Sequence, residues 1–144
     1  MELRKAASPA ELEIVFPVIK ELRPHLTFQR YIELIEEAAK HDGYEMIAAF
    51  EQNKCVGAMG VRILFDFVHG KHLYVDDLVV SKDFRSLGLG AKLLRYAEDV
   101  AREQKCEGLR LCTGIENEAG KRFYDREGWT LRAVAYKKKL NDIR

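Results

Sequence analysis

The sequence predicts a mixed α/β (α+β) fold built on a mostly antiparallel sheet, and three observations lead there. Residues 44–50, 54–67 and 73–80 are consecutive β-like runs whose joining reversals are too short for parallel crossovers, which makes them an antiparallel meander. Helical apolar stripes stand on both sides of it, with Leu12, Val15, Phe16, Ile19 and Leu22 before and Leu89, Leu93, Ala97, Val100 and Ala101 after. A further β run at 108–112 follows the later stripe and completes a β-α-β unit.

Taken in order, residues 2–5 are short and suit an edge strand. Ser8, Pro9 and the acids Glu11 and Glu13 then read as N-cap, first helical residue and first turn, and Pro24 stops this helix after Arg23. A second helix covers about 27–40, with Tyr31, Leu34, Ile35, Ala38 and Ala39 on one face, and Asp42 and Gly43 end it. The meander turns at Gln52, Asn53 and Lys54 and again at His69 and Gly70. The helix after the meander ends near Lys105. A short helix over 117–127, capped by Asn117 and closed by Gly128, precedes a last β stretch over 129–140.

The chain has 144 residues, 47% hydrophobic and 33% charged, enough for one domain spanning 1–144 that buries a core without a disulfide or metal. Its net charge of +1 excludes the uniform basicity of a general nucleic-acid binder. The charge is unevenly spread: residues 1–81 carry 9 basic and 13 acidic side chains, residues 82–144 carry 15 and 10. Cys55, Cys106 and Cys112 are odd in number, with no C-x-x-C spacing and no His within ligand spacing of a pair, so neither a disulfide framework nor a zinc site is expected. No metal is expected. None of the three thiols has an evident activating His, which argues against a cysteine nucleophile. No stretch approaches the ~18 apolar residues of a membrane span, and the charged start lacks an apolar leader core. A cytoplasmic protein with no membrane partner is the expectation.

The chemistry concentrates at Val79-Val80-Ser81-Lys82-Asp83-Phe84-Arg85-Ser86-Leu87-Gly88-Leu89-Gly90, a strand, a polar loop, two glycines and an amphipathic helix. Amides at a helix start point outward, the helix dipole adds about half a positive charge, and glycine admits a ligand close to the backbone. Arg85 adds a fixed cation, so the junction suits a phosphate or pyrophosphate. A Rossmann site needs its glycines directly after a strand and a third glycine where Leu93 stands. A P-loop needs G-K-[ST], whereas Gly90 is followed by Ala91, Lys92 and Leu93.

Arg85-x-x-Gly88-x-Gly90 resembles the acetyl-CoA motif R/Q-x-x-G-x-G/A of the GCN5-related N-acetyltransferase (GNAT) family. Asn117-x-Ala119-x-x-x-Phe123-Tyr124-x-x-x-Gly128-Trp129 is similar to that family's later N-x-x-x-x-x-F-Y-x-x-x-G-F segment, with Trp for Phe. The resemblance implies a twisted sheet splayed beside its central strand, here 73–80, and acetyl-CoA as cosubstrate. By position, Leu78, Val79 and Val80 would bond the pantetheine arm, and the amides of Arg85, Ser86, Leu87, Gly88, Leu89 and Gly90 would hold the pyrophosphate. Asn117, with Ala119 in the same motif, would contact the pantetheine side and Phe123 would pack against it. Tyr124 occupies the position of the tyrosine that protonates the departing thiolate, a group whose phenol is suited to that transfer.

Asp76 and Asp77 interrupt the apolar run of the central strand and, by simple alternation, face opposite sides. An acid stands at the Asp76 position in polyamine-type members, so Asp76 is the first base candidate and Asp77 the second. Glu45, Asp66 and His72 are weaker candidates that read as surface. The acids Glu33, Glu36 and Glu37 with Phe28, Tyr31, Phe65 and Phe67 suit a cationic acceptor such as a polyamine, aminoglycoside or lysine side chain. The expected reaction is direct transfer of the acetyl group to a small-molecule or peptide amine. A module that binds acyl-CoA as a signal without transferring it is the alternative, and the resemblance leaves a homodimer through the C-terminal strands open.

Overall fold

The structure is a computed structural model and describes residues 1–140. Contacts divide the chain into two compact units, Met1–Leu111 and Cys112–Arg144. The first holds β1 (Glu2–Lys5), α1 (Pro9–Leu22), α2 (Phe28–Asp42), β2 (Glu45–Glu51), β3 (Lys54–Asp66), β4 (Gly70–Val80), a 3-10 turn (Lys82–Phe84), α3 (Leu89–Glu103) and β5 (Gly108–Leu111). The second holds α4 (Glu118–Arg126).

The helix starts follow local chemistry. Ser8 caps α1 by accepting the Glu11 amide, with Pro9 as the first helical residue, and Thr27 caps α2 by accepting the Arg30 amide. The five strands lie in the order β1-β2-β3-β4-β5. Every neighbouring pair is antiparallel except β4 and β5, which run parallel across the α3 connection. Each sheet face has its own core. Met46, Ala48, Phe50, Ala58 and Val79 pack with α1 and α2 on one side. Ile47, Met59, Leu73 and Val75 pack with Leu89, Leu93 and Ala97 of α3 on the other. Because residues of β2 alternate between the two cores, a slip of one register position would exchange both sets at once.

Residues 129–140 form no strand, contrary to the sequence expectation. A strand exists only where another backbone takes its hydrogen bonds, and alternating apolar residues cannot supply that partner themselves. Leu131, Val134 and Tyr136 are accordingly 77%, 70% and 96% exposed.

The two helices on the first face are fastened by one buried polar contact. Tyr31 of α2, 3% exposed, donates its hydroxyl to the Leu12 carbonyl of α1 at 2.7 Å. Its ring packs on Phe16, centroids 4.9 Å apart. Tyr31→Phe keeps the ring and removes that bond. Its unfolding free energy in urea is expected to fall by about 1 kcal/mol with an unchanged m-value.

Candidate active site

The centre of the first unit is a register fault in β4. Met59 of β3 pairs with Leu78, but Val61 pairs with Val75, so the single residue Gly60 lies opposite both Asp76 and Asp77. This β-bulge resets the alternation. Leu73 and Val75 belong to the α3-side core and Val79 to the α1/α2-side core, so counting from either end places both aspartates on the α1/α2 face. The expectation that they face opposite sides is thereby corrected, because alternation holds only where pairing is one to one. Gly60 is needed here: a Cβ would stand 2.6 Å from Tyr44 Cζ, inside the space of the phenol ring.

Each aspartate is met by an arginine. Arg62 donates from Nε and Nη2 to Asp76 Oδ2 and Oδ1 at 2.8 and 2.6 Å, and from Nη1 to Asp42 Oδ2 at 2.7 Å. These bonds, Asp76 first, hold the guanidinium even more firmly protonated than usual. Arg23, just past the end of α1, donates from Nη2 and Nε to Asp77 Oδ1 at 2.8 and 3.2 Å. Among the described residues no hydrogen bond engages Asp77 Oδ2. The Tyr44 phenol is kept neutral chiefly by burial, with the charges of Asp77 and Asp76 adding to it.

On the other side of the bulge β4 loses a neighbour. Its parallel pairing with β5 ends at Val75 and Leu111, and no strand among the described residues pairs with that edge at Leu78, Val79 or Val80. The loop that follows leads to α3, whose N-cap Gly88 has φ of +79° and gives no side-chain cap. The first helical bond joins the Lys92 amide to the Gly88 carbonyl at 3.1 Å, so the amides of Leu89 and Gly90 precede the ladder. Space beside the Gly88 Cα is open. An open strand edge followed by an uncapped helix start fits a pantetheine arm and a diphosphate, the first through extended backbone bonds and the second through outward amides. Arg85, which is exposed, donates to the Val80 carbonyl at 3.1 Å, while Ser86 and Leu87 are exposed in the loop. Glu21 of α1 anchors the strand end by accepting the Lys82 amide at 3.1 Å and the Ser81 hydroxyl at 3.3 Å.

In the second unit Asn117 caps α4, accepting the Gly120 amide at 3.0 Å and donating to Thr113 Oγ1 at 3.0 Å. Ala119 is exposed in the first turn of α4. Phe123 and Tyr124 rings lie 5.1 Å apart and Tyr124 meets Trp129 edge-on at 6.0 Å. Burial raises the Tyr124 phenol above its ordinary range, so at neutral pH it holds a proton.

The remaining candidates lie elsewhere. Glu45 pairs with Lys5 at 2.8 Å, while Glu33 and Glu37 pair on the exposed face of α2 with Arg30 and His41. Glu36 is exposed there too. Phe65 and Phe67 are 72% and 109% exposed at the β3–β4 turn with Asp66 exposed between them, whereas His72, expected at the surface, is buried because its β4 position turns the ring inward. Arg23, Arg62, Tyr44 and Glu21 were not indicated by the sequence. Their partners lie up to 61 residues away, and no spacing rule links them.

A parallel pair parting beside a helix start, with a paired-acid bulge next to it, can seat an extended cosubstrate close to acidic side chains. The model of the Acetyltransferase (GNAT) family matches residues 10–129, and the chain belongs to this family. It is an acetyl-CoA-dependent N-acetyltransferase. An uncharacterized N-acetyltransferase, YhdJ, of Bacillus subtilis is 28% identical over 96% of this chain and 98% of its own. The aminoalkylphosphonate N-acetyltransferase of Salmonella typhimurium is 28% identical over 89% of this chain and 84% of its own. The structure of AAC(6')-Iy in complex with a bisubstrate analog, CoA-S-monomethyl-acetylneamine, superposes with a TM-score of 0.82 at 19% identity, covering 96% and 98% of the two chains. No helix among the described residues is long and apolar enough to cross a membrane.

The cysteines differ sharply in environment. Burial pushes the Cys55 thiol up to about 11, while Cys112 is exposed. Thiolate is the reactive form, and a group with a pKa near 11 is only about one part in a thousand ionised at pH 8. Brief treatment with iodoacetamide at that pH is expected to alkylate Cys112 and spare Cys55 until denaturant is added, as read by peptide mass spectrometry.

Proposed function

We propose that residues 1–144 act as a single acyltransferase domain that acetylates the primary amine of a small molecule carrying one ammonium group. The observation that carries this reading is the charge inventory around the bulge. Asp42, Asp76 and Asp77 face Arg23 and Arg62, three carboxylates against two guanidiniums, which leaves one net negative charge. That balance matches one ammonium and is too small for a polycation. The relative named for aminoalkylphosphonates, whose substrates by name join an amine to an acid, supports a monoamine.

Acetyl-CoA, when bound, supplies an acetyl group activated as a thioester. We assign the pantetheine arm to the open edge at Leu78, Val79 and Val80. The amides of Arg85, Ser86, Leu87, Gly88, Leu89 and Gly90 take the diphosphate, and Asn117, Ala119 and Phe123 complete the cosubstrate contacts by motif position. An acceptor amine with a reference pKa of ~10.4 arrives protonated and must lose that proton before it attacks. Both Asp76 oxygens are occupied by Arg62, so Asp76 positions that guanidinium. Asp77 keeps Oδ2 open and takes the proton, directly or through one water. Tyr124, held protonated by burial, returns a proton to the departing sulfur. Orientation by the β4 backbone supplies much of the remaining acceleration.

The deciding experiment follows thiol release from acetyl-CoA with a panel of aminoalkylphosphonates, amino acids, polyamines, aminoglycosides and lysine peptides. Turnover confined to monoamines is the expected result. Turnover of polycations alone would overturn the substrate class, and no turnover with any amine would overturn the assignment of a small-amine acceptor. Tyr124→Phe should lower kcat by about 100-fold or more while CoA affinity by calorimetry stays within about twofold. Gly90→Val should instead remove CoA binding, because a branched side chain would fill the approach to the α3 amides.

A further inference from the structure

The turn between β3 and β4 carries a polar cluster that acyl transfer does not use. Asp66, His69 and His72 recur at every third residue, and one ligand atom from each lies within 4.8 Å of the other two. His69 Nδ1 is 3.2 and 3.3 Å from the two Asp66 oxygens, and His72 Nε2 is 4.0 Å from Asp66 Oδ2. Ligands at about 2.0 to 2.1 Å from a tetrahedral ion are about 3.3 Å apart, so Asp66 and His69 already have that spacing and His72 must close in slightly.

The supporting contacts are those a metal site needs. His72 is 1% exposed, and its Nδ1 lies 3.0 Å from the Gly70 carbonyl. That bond puts the ring proton on Nδ1 and leaves Nε2 as the atom able to ligate, 4.0 Å from Asp66 Oδ2. The Asp66 carboxylate is set in place by the His69 amide, which donates to Oδ1 at 2.6 Å and holds the carboxyl below its usual range. One contact competes. Arg110 donates from Nε to His72 Nε2 at 3.3 Å, and an incoming ion must displace this long bond. Arg110 already lies 4.7 Å above the Tyr74 ring, which gives its guanidinium a place to remain.

We propose that Asp66, His69 and His72 bind a divalent transition cation of the Zn²⁺ type, with the fourth position open to solvent. His72 is four residues along β4 from Asp76, about 13 Å, so the ion lies outside the acyl-transfer chemistry. Two imidazoles and one carboxylate favour Zn²⁺, Co²⁺ or Ni²⁺ over Mg²⁺ or Ca²⁺, which prefer all-oxygen ligands. Bound there, the ion clasps the turn that displays Phe65 and Phe67.

The test uses the full chain after chelator treatment, titrated with Zn²⁺ in a calorimeter and with Co²⁺ in a visible spectrometer. One Zn²⁺ per chain, tetrahedral Co²⁺ bands and a raised Tm are expected. His69→Ala, at a half-buried turn position, should weaken binding by about tenfold to 100-fold, whereas a Cys106→Ser/Cys112→Ser variant should bind as the parent does. Absence of binding at about 100 μM Zn²⁺, binding indifferent to His69→Ala, or binding lost with the cysteines would each overturn the site. Thiol release plays no part in these readings, so their outcome stands apart from that of the acceptor panel.

Discussion

Where β4 is paired on both sides it is an ordinary central strand, and beyond Val75, where it loses β5, one of its edges is left open. Buried backbone groups demand partners, so a strand edge opened next to a helix start invites an extended ligand with amide and phosphate groups of its own. The bulge at Asp76 and Asp77 lies at this parting. It places both acids on the α1/α2 face of the sheet, so the strand is charged just where its other edge is left open.

The aspartates illustrate how much a guanidinium changes a carboxylate's task. Asp76 spends both oxygens on Arg62, and Arg62 spends its remaining donor on Asp42, the last residue of α2. This chain ties a helix end to the central strand and keeps the acids from repelling one another. Asp77 is less encumbered, since Arg23 engages a single oxygen. Two adjacent residues of one type therefore have different chemistry, decided by partners drawn from distant parts of the chain.

Much of the fold was legible because it rests on local rules. The caps at Ser8 and Asn117, the stop after Arg23 and the short reversals of the meander are all set by neighbours in sequence. The helix start at Gly88 was legible for the same reason, with glycines and Arg85 in one short motif. The bulge was not, because a register fault belongs to a pair of strands and Gly60 gives no sign of which residues it will face. The 129–140 stretch failed in a related way: its apolar pattern is real, but strand formation depends on a partner the pattern does not contain. The Asp66, His69 and His72 grouping was not legible because the three side chains converge only through the geometry of the β3–β4 turn, which no cysteine or histidine spacing rule describes.

The far end of α1 touches both halves of the site. Glu21 holds the Ser81 and Lys82 end of β4, and Arg23, two residues later, holds Asp77. The last turn of that helix is therefore a yoke between the bulge and the loop that leads into α3. Fraying it by one turn frees both at once, and ordering either side makes the other cheaper to order. Order at the bulge and order at the end of β4 are in this way joined in one equilibrium through a few residues of helix.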